Sequence, residues 1–454
     1  MEESLHKSYY TIPVKLQAED NKHMLIHGYT GAIDIVDSNI VNALNAENIS
    51  SVLSEDEISL LSQRGYLTNK TVEEEQSYVA HFADVLHRMN SKLYKNFGFV
   101  ITYDCNFRCP YCFENIISKH GTAWTKRTIT KELVDKAYDA MLKIEAHREL
   151  HTNEILLYGG EPFLRENYDI VKYIIKKGYS LGYKFKAITN GYDLDFYEDL
   201  LSPEYFTFIQ ISMDGFRDNH NKRKFHYKEG ASFEKVIKNI GLSLNHKIKT
   251  QIRLNFDKVN ILDKNILYNY FVKLGYDKCD YFLPYAAMVE SREKPRFSDK
   301  ERFLSSEEFT TELKEEKCIV NPITQKMIKA FELYFKNKTP IKLSPVACTA
   351  QYGSHFFDPY GDIYPCLEIV GRKEYSLGTY NEINITWNSA KNDWFSRHVG
   401  NDESCKKCKF ALICGGKCVA KRISKLEQSC TQFFDSFYNA ANSVYSKMIY
   451  TAKK

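Results

Sequence analysis

Short apolar runs and longer stretches with helical spacing alternate along the middle of the chain. The runs that predict strands are FGFVITY (97–103), EILLYGG (154–160), KFKAITN (184–190), FTFIQISM (206–213), KTQIRLNF (249–256) and DYFLPYA (280–286). Helical stretches follow at 130–150, 168–182, 196–201, 232–245 and 263–275. Repeats of this kind predict parallel strands with right-handed crossovers. The predicted fold class is therefore α/β, a partial (β/α)6 barrel whose chemistry lies at the C-terminal ends of its strands.

A smaller α+β unit precedes the barrel. Its predicted elements are strands at 9–16, 23–29 and 31–37 and helices at 38–46 and 54–65. Ser54 and Glu57 have the spacing of a capping box, which predicts the start of the second helix. The acidic segment 71–76 is predicted to be a linker. Whether this unit is a structural cap or a recognition module stays open at this point.

The C-terminal part of the chain has a different character. After Cys348 the sequence is rich in cysteine and poor in regular periodicity, and a helical pattern follows at 431–451. The predicted domains are the N-terminal unit at 1–80, the barrel at 90–335, a cysteine-rich domain at 340–435 and a C-terminal helix at 436–454.

Composition narrows the classes of function. The 454 residues suffice for two or three domains, and a net charge of +4 is too balanced to predict a nucleic-acid or membrane-surface partner. Residues 1–76, with five Lys/Arg and thirteen Asp/Glu, carry −8, which leaves +12 on the remainder. Neither a spanning segment nor a secretion signal is evident, so we expect a cytoplasmic protein. Its twelve cysteines are then expected to be ligands, nucleophiles or buried thiols rather than disulfides.

The first cysteine cluster follows the first barrel strand. Cys105, Cys109 and Cys112 have CX3CX2C spacing. Three thiolates so close together can hold three irons of a [4Fe–4S] cube and leave the fourth iron open. A zinc site would favour four protein ligands. The cluster therefore predicts an iron–sulfur centre at the catalytic end of the barrel.

This motif, with an aromatic residue before its third cysteine, resembles the signature of radical S-adenosylmethionine (SAM) enzymes. The resemblance implies that the open iron binds the amino and carboxyl groups of SAM, and that one electron cleaves SAM to methionine and a 5′-deoxyadenosyl radical. Gly159-Gly160-Glu161-Pro162 is similar to the family's GGEP motif, which binds the SAM amino group. The other SAM contacts that the resemblance implies are Tyr111, Asn190, Ser212 and Arg223, with Asn255 and Leu283 as weaker ones.

The second cysteine cluster resembles the seven-cysteine SPASM extension of radical SAM enzymes that modify peptides and proteins. That family carries two auxiliary [4Fe–4S] clusters, which would make three in all. Cys348, Cys366 and Cys418 would hold the first auxiliary cluster, and Cys405, Cys408, Cys414 and Cys430 the second. A zinc ribbon remains an alternative. The first set lacks a fourth cysteine, so we expect an open iron there, with His355, Cys279 or Cys318 as alternative fourth ligands.

Two classes of SPASM enzyme are candidates. In sulfatase-maturating enzymes an Asp base follows the second SPASM cysteine; here Leu367 stands at that place and Glu368 is displaced by one residue, which counts against that class. Peptide maturases often carry an N-terminal, winged-helix-like leader-recognition domain, and residues 8–68 resemble it. We therefore expect a ribosomal peptide with a leader as substrate and a thioether as product.

Two further interpretations stay open. A carbon–carbon crosslink is the next candidate product, and a non-catalytic iron–sulfur electron carrier is the alternative outside enzymes. The enzyme reading implies an electron donor of the flavodoxin or ferredoxin type.

Overall fold

The computed structural model describes residues 5–93, 95–112, 114–290, 302–313, 322–424 and 430–452. Its strands are His6–Lys7 (β1), Thr11–Lys15 (β2), Lys22–His27 (β3), Ile33–Asp37 (β4), Leu67–Thr68 (β5), Lys95–Val100 (β6), His151–Tyr158 (β7), Lys184–Thr189 (β8), Phe206–Met213 (β9), Lys249–Phe256 (β10), Phe282–Met288 (β11), Ser354–Phe357 (β12), Asp362–Tyr364 (β13), Gly378–Thr379 (β14) and Thr386–Trp387 (β15).

The helices belong to three parts of the chain. Those before and within the barrel are Ser38–Ala43 (α1), Glu55–Gln63 (α2), Val72–Leu93 (α3), Asn115–Ser118 (α4), Thr122–Thr125 (α5), Lys131–Ile144 (α6), Tyr168–Ser180 (α7), Arg217–Arg223 (α8), Phe233–Asn245 (α9) and Asp263–Lys273 (α10). Those beyond it are Ser306–Leu313, Pro322–Asn337, Ala350–Gly353, Ala390–Phe395, Ala411–Cys414, Val419–Ile423 and Thr431–Ala452.

Strands β6 to β11 lie side by side in sequence order, and each neighbouring pair is parallel. One face of this sheet is fully buried; its side chains Phe99, Leu157, Phe185 and Ile209 belong to the main core, whereas side chains of the other face, such as Leu156 and Lys186, are half-buried. Buried and half-buried positions alternate along β8 and along most of β10, because successive side chains of a strand point to opposite faces of the sheet. The predicted parallel α/β architecture is confirmed.

The barrel is partial because the sheet does not close on itself. Strand β12 pairs in parallel with β6, with His355 opposite Phe97, and β13 to β15 continue the sheet antiparallel. Gly98 makes this junction possible, since a Cβ there would lie 2.6 Å from a ring carbon of Phe356. The cysteine-rich region is therefore joined to the barrel through a ten-stranded sheet.

The N-terminal unit is a three-stranded antiparallel sheet, β2-β3-β4, with helices on both faces. One face, including Ile12 and Met24, packs against Phe331 and Phe437 of the helices Pro322–Asn337 and Thr431–Ala452. The other face packs against α1 and α2. The unit therefore shares a core with the C-terminal end of the chain.

Several predicted boundaries are confirmed and one is wrong. Ser54 and Glu57 form the predicted capping box, and the C-terminal helix covers the predicted stretch. The acidic segment 71–76 is not a linker but the start of α3. Thr71 and Glu74 cap it reciprocally, and acidic side chains in a first turn complement the helix dipole. In the described residues, no helix is long and apolar enough to cross a membrane.

Candidate active site

A cavity of about 250 Å³ lies at the C-terminal ends of the barrel strands. It is lined by Cys105, Cys109, Tyr111, Cys112, Gly159, Gly160, Glu161, Asn190, Ser212 and Asn255, among others. Residues distant in sequence meet here because the C-terminal ends of parallel strands share one edge of the sheet. Nearly all the SAM-site residues expected from the sequence are thus brought together.

The three cysteines of the cavity are half-buried. Burial raises the pKa of Cys105 well above its usual range and that of Cys112 to about 12, and neighbouring thiols and carboxylates add to the rise. The Cys105 sulfur accepts a hydrogen bond from the Phe107 backbone N–H at 3.4 Å. Thiols of this kind ionise when a positively charged metal centre takes the place of the proton. The donor set therefore fits an iron–sulfur cluster.

Cys105, Cys109 and Cys112 line the cavity without converging on a single position. Within the described ranges, no three His, Cys, Asp or Glu side chains converge as they would on a single metal ion. A [4Fe–4S] cube makes a different demand, because each thiolate binds a separate iron.

The GGEP segment brings its backbone against the loop that carries the cysteines. Gly159 has φ +152°, and a Cβ on Gly160 would lie 2.3 Å from the Asp104 carbonyl oxygen. Only glycine allows this approach. The buried Glu161 carboxylate accepts hydrogen bonds from the Asn190 N–H at 2.6 Å and the Thr189 hydroxyl at 2.5 Å. Burial raises the pKa of Glu161 to about 7 although these donors oppose it. The carboxylate is held rigidly at the cavity wall.

Asp214, which sequence analysis did not single out, organises the opposite wall. Its carboxylate accepts hydrogen bonds from the Tyr111 hydroxyl at 2.6 Å and from Asn255 Nδ2 at 3.0 Å. Arg223 pairs with it at 2.9 Å and with Asp257 at 2.8 Å. These contacts fix Tyr111 and the ends of β9 and β10.

The structure corrects two predicted SAM contacts. Arg223 does not line the cavity, because its guanidinium is buried between Asp214 and Asp257. The next residue, Lys224, does line the cavity and donates to the Ser212 hydroxyl at 2.9 Å. Burial opposes the charge of Lys224, but the thiols of Cys109 and its neighbours, together with Asp214, raise its pKa. Lys224 therefore places a positive charge beside the cysteines.

Leu283 is the second correction. It is the second residue of β11, so it lies at the end of the strand away from the cavity, and its side chain is 44% exposed. Met288, Val289 and Glu290, at and after the end of β11, line the cavity instead. The sequence signal was present in the apolar run, but its predicted C-terminal boundary was two residues too early.

The cysteine-rich region contributes the remaining wall. Leu367 and Glu368, which follow Cys366, both line the cavity. Glu290 forms an ion pair at 2.5 Å with Lys421, three residues after Cys418. The barrel site and the Cys348, Cys366 and Cys418 set are therefore adjacent.

The seven C-terminal cysteines form two neighbourhoods. Burial and then the charges of Cys348 and Cys418 are among the causes that raise the pKa of Cys366. Burial raises the pKa of Cys414 to about 11, and Cys430 and Cys408 add to the rise. Cys405 is a neighbour of Cys414. The groups have the same members as the two expected ligand sets.

The alternative fourth ligands are less well placed. His355 is buried among Phe97, Trp387 and Phe395, and its Nδ1 lies 3.0 Å from the Gly353 carbonyl oxygen. Cys279 precedes β11 at the end of the barrel away from the cavity. Cys318 lies outside the described residues.

Two regions match known family models. Residues 99–264 match the radical SAM superfamily, and residues 348–409 match the SPASM iron–sulfur cluster-binding domain. The second match contains Cys348, Cys366, Cys405 and Cys408, whereas Cys414, Cys418 and Cys430 follow it.

Individual proteins are similar over longer stretches. A cysteine-type anaerobic sulfatase-maturating enzyme of Clostridium novyi is 23% identical over 77% of this chain and 95% of its own length. The radical SAM cyclopropyl synthase TigE of Paramaledivibacter caminithermalis is 24% identical over 39% of this chain and 42% of its own length. The solved structure of native anSMEcpe with bound AdoMet has a TM-score of 0.57 at 18% identity, over 79% of this chain and 99% of its own. The solved structure of Streptococcus suis SuiB bound to precursor peptide SuiA has a TM-score of 0.49 at 15% identity, over 94% of this chain and 97% of its own. With both domains matched in this order and the cysteines of the first gathered at its cavity, the chain is a radical SAM enzyme with a C-terminal SPASM domain.

Proposed function

We propose that this enzyme is a peptide maturase that forms a crosslink, with a thioether as the first candidate, in a ribosomally made precursor peptide. The observation that carries the proposal is the shared cavity. The radical SAM cysteines, the GGEP segment and the SPASM residues Leu367 and Glu368 line one space. A substrate in that space would contact both domains.

Different residues of the cavity would bind different parts of SAM. When bound, SAM and its [4Fe–4S] cluster supply a 5′-deoxyadenosyl radical. Glu161 would accept hydrogen bonds from the SAM ammonium group, and Lys224 would pair with its carboxylate, since charge-assisted hydrogen bonds are the strong ones. Tyr111, fixed by Asp214, would orient the adenosyl part. Together they would hold the reacting carbon still.

The proposed ligand sets require three [4Fe–4S] clusters. The cluster at Cys348, Cys366 and Cys418 has three cysteines, which leaves one position for a group from outside this set. A substrate cysteine is the candidate, because the set borders the cavity through Cys366 and Glu368. A thiol held there would be close to a carbon activated at the SAM end of the cavity.

The leader of the precursor would bind the N-terminal unit by adding a strand to β4. The other edge, β2, is occupied: Asn442 of the C-terminal helix accepts from the Gln17 N–H at 2.8 Å and donates to the Lys15 carbonyl. Strand β4 pairs with β3 alone in this sheet, although its Ile33 carbonyl accepts hydrogen bonds from Arg64 at 3.0 Å and from the Tyr334 hydroxyl, so the edge offered to a leader begins beyond Ile33. Hydrogen-bonded pairs alternate along an antiparallel ladder, and the His27 N–H donates to the Ala32 carbonyl. Ile35 therefore directs its N–H outward.

A second candidate function is formylglycine formation in a sulfatase. Glu368 reaches the cavity wall, so a carboxylate is available although Leu367 stands where that class has its base. The Clostridium novyi relative, which is matched over 95% of its length, is a cysteine-type anaerobic sulfatase-maturating enzyme.

The experiment is anaerobic incubation with SAM, reductant and the small peptide encoded beside the gene, followed by mass spectrometry. A crosslink removes two hydrogen atoms and keeps the sulfur, whereas formylglycine loses the cysteine sulfur. Loss of two hydrogens from the precursor, absent when its cysteine is changed to alanine, is the expected result. Modification only of a sulfatase peptide, with loss of sulfur, would replace the proposal by the second candidate.

A further inference from the structure

Arg253 brings a second cation to the active-site cavity. It lies on β10 and lines the cavity, where its side chain is half-buried. Its Nε donates to the Asn255 side-chain oxygen at 3.0 Å. Burial raises the pKa of Tyr285, and the charge of Arg253 and a hydrogen bond with it oppose the rise. Both neighbours are neutral, and in the described part of the chain Arg253 forms no ion pair, whereas Arg223 and Arg302 each pair with an aspartate.

The wall around Arg253 offers hydrogen-bond donors, while the neighbouring acceptors already accept a bond. Gln210 on β9 also lines the cavity, and its side-chain oxygen accepts from the Tyr285 hydroxyl at 3.0 Å. The Asn255 oxygen accepts from Arg253 itself, and the Asn255 amide group donates to Asp214 at 3.0 Å. The guanidinium and the Gln210 amide NH2 are the donors left for a ligand. They fit a carboxylate, because a guanidinium can give it two parallel hydrogen bonds.

These two donors adjoin the residues proposed to bind SAM but are distinct from them. Gln210 lies two residues before Ser212 on β9, so both side chains are on the same face of the strand. Arg253 stands in the same relation to Asn255 on β10, and in the register of the sheet it is opposite Ser212. Lys224, the proposed partner of the SAM carboxylate, donates to Ser212. Since SAM has one carboxylate, Arg253 is available for a carboxylate of the substrate.

The cost of an unpaired cation rises when the cavity fills. Water reaches a half-buried guanidinium in the open cavity, but SAM and a peptide would displace that water. A buried cation without an anion is strongly unfavourable. A carboxylate on the bound peptide would therefore stabilise the complex, whereas a neutral side chain at this place would not.

We propose that Arg253, assisted by Gln210, binds a side-chain carboxylate of the precursor peptide, so that the enzyme selects peptides with an Asp or Glu in the modified segment. The inference rests on the proposed function, because it presumes a peptide in the cavity. Arg253 is then a specificity-determining residue at which no bond forms or breaks. Because it adjoins the proposed SAM contacts, the acidic residue would lie beside the carbon that reacts.

The test measures kcat/KM for modification of a synthetic copy of the small peptide encoded beside the gene, with the reconstituted enzyme. Each Asp and Glu of the peptide is changed singly to Asn or Gln. One of these changes should lower kcat/KM about tenfold or more, and Arg253→Gln should do the same with the unchanged peptide. The two changes together should cost little more than either alone, because both remove the same pair. Arg253→Lys keeps the charge but loses the fork, so its loss should be smaller.

The matched control is Arg88→Gln, which makes the same change of charge at an exposed residue of α3 outside the cavity. It should react like the unsubstituted enzyme with every peptide. The peptide arm needs no enzyme variant, so it remains informative if Arg253→Gln fails to fold. A peptide amidated at its C-terminus should react normally; a loss on amidation alone would overturn the side-chain assignment in favour of the terminal carboxylate.

SAM titration separates the remaining source of a carboxylate. Arg253→Gln should change SAM affinity by less than about twofold in calorimetry. A large fall in SAM affinity, with the same loss of kcat/KM for every peptide, would overturn the proposal and assign Arg253 to SAM. Crosslinking of a peptide without Asp or Glu, or crosslinking without coupling between the two changes, would overturn this inference alone. Absence of crosslinking by the unsubstituted enzyme would overturn the proposed function and the inference with it.

Discussion

Single side chains decide what the cavity can bind, and neighbours in sequence have different roles. Arg223 and Lys224 adjoin the C-terminal end of α8, yet one is buried between two carboxylates and the other faces the cysteines. The family motif places a SAM contact near this position only to within one residue, so the sequence alone cannot say whether Arg223 or Lys224 is meant. The end of α8 decides which of the two side chains points into the cavity. Glu161 was predictable, since the two glycines before it are required by the close backbone approach.

Substitution of these two residues should give opposite results. Lys224→Gln removes the proposed partner of the SAM carboxylate and should weaken SAM binding about ten- to hundredfold with little change in stability. Arg223→Gln leaves Asp214 buried without its paired cation, whereas Asp257 keeps Arg302 at 3.1 Å, and the substitution should lower the free energy of unfolding by about 3 kcal/mol. Calorimetric SAM titration and thermal unfolding of both variants measure this. Unchanged SAM affinity in Lys224→Gln would contradict the assignment.

His27 predicts a pH dependence of stability. Burial lowers its pKa to about 4, whereas an unfolded histidine has a pKa of about 6.5. Between these values the unfolded chain binds more protons, so stability falls as the pH drops from about 6.5 towards 4, by up to roughly 3 kcal/mol. His27→Gln keeps a donor for Ser8 but cannot titrate. Its melting temperature should fall less between pH 7 and pH 5 than that of the unsubstituted protein; equal falls would show that His27 contributes nothing.

At the scale of elements, the local sequence pattern predicted whether a segment is a strand or a helix better than it predicted the first and last residues of that element. The apolar runs identified the six barrel strands, but β11 begins and ends two residues later than its run. Segment 71–76 was interpreted from its charge as a linker, although Thr71 and Glu74 carry the helix-start signal that α3 uses. The pairing of β12 with β6 joins segments more than 250 residues apart. Short strands such as β12 have too few residues for periodicity to reveal them.

Strand β4 offers an element-scale prediction for leader binding. Ile35→Pro removes one outward N–H, and edge strands tolerate proline where that group faces solvent. Ile35→Ala shortens the same side chain and keeps the N–H. The proline variant should bind the precursor at least about tenfold more weakly, while the alanine variant should bind normally. Both should still cleave SAM. Equal peptide affinity, measured by fluorescence anisotropy, would favour a purely structural role for the N-terminal unit.

At the scale of the whole molecule, one continuous sheet connects the radical SAM barrel to the SPASM domain. Leu367 and Glu368 from the second domain and Glu161 from the first therefore line the same cavity. The N-terminal unit packs on the C-terminal helices, so all three parts of the chain share buried surface. This arrangement suits the proposed function, in which a peptide, SAM and several metal centres would be held in fixed relation.

The most direct test of the central claim is 5′-deoxyadenosine formation by the anaerobically reconstituted enzyme with dithionite, measured beside its iron content. The unsubstituted chain should hold about twelve irons and cleave SAM. Cys105, Cys109 and Cys112 changed together to alanine should lose about four irons and all cleavage, whereas Glu161→Gln should keep its iron and bind SAM more weakly. A triple variant that still produced 5′-deoxyadenosine would contradict the assignment of this cavity as the radical-generating site.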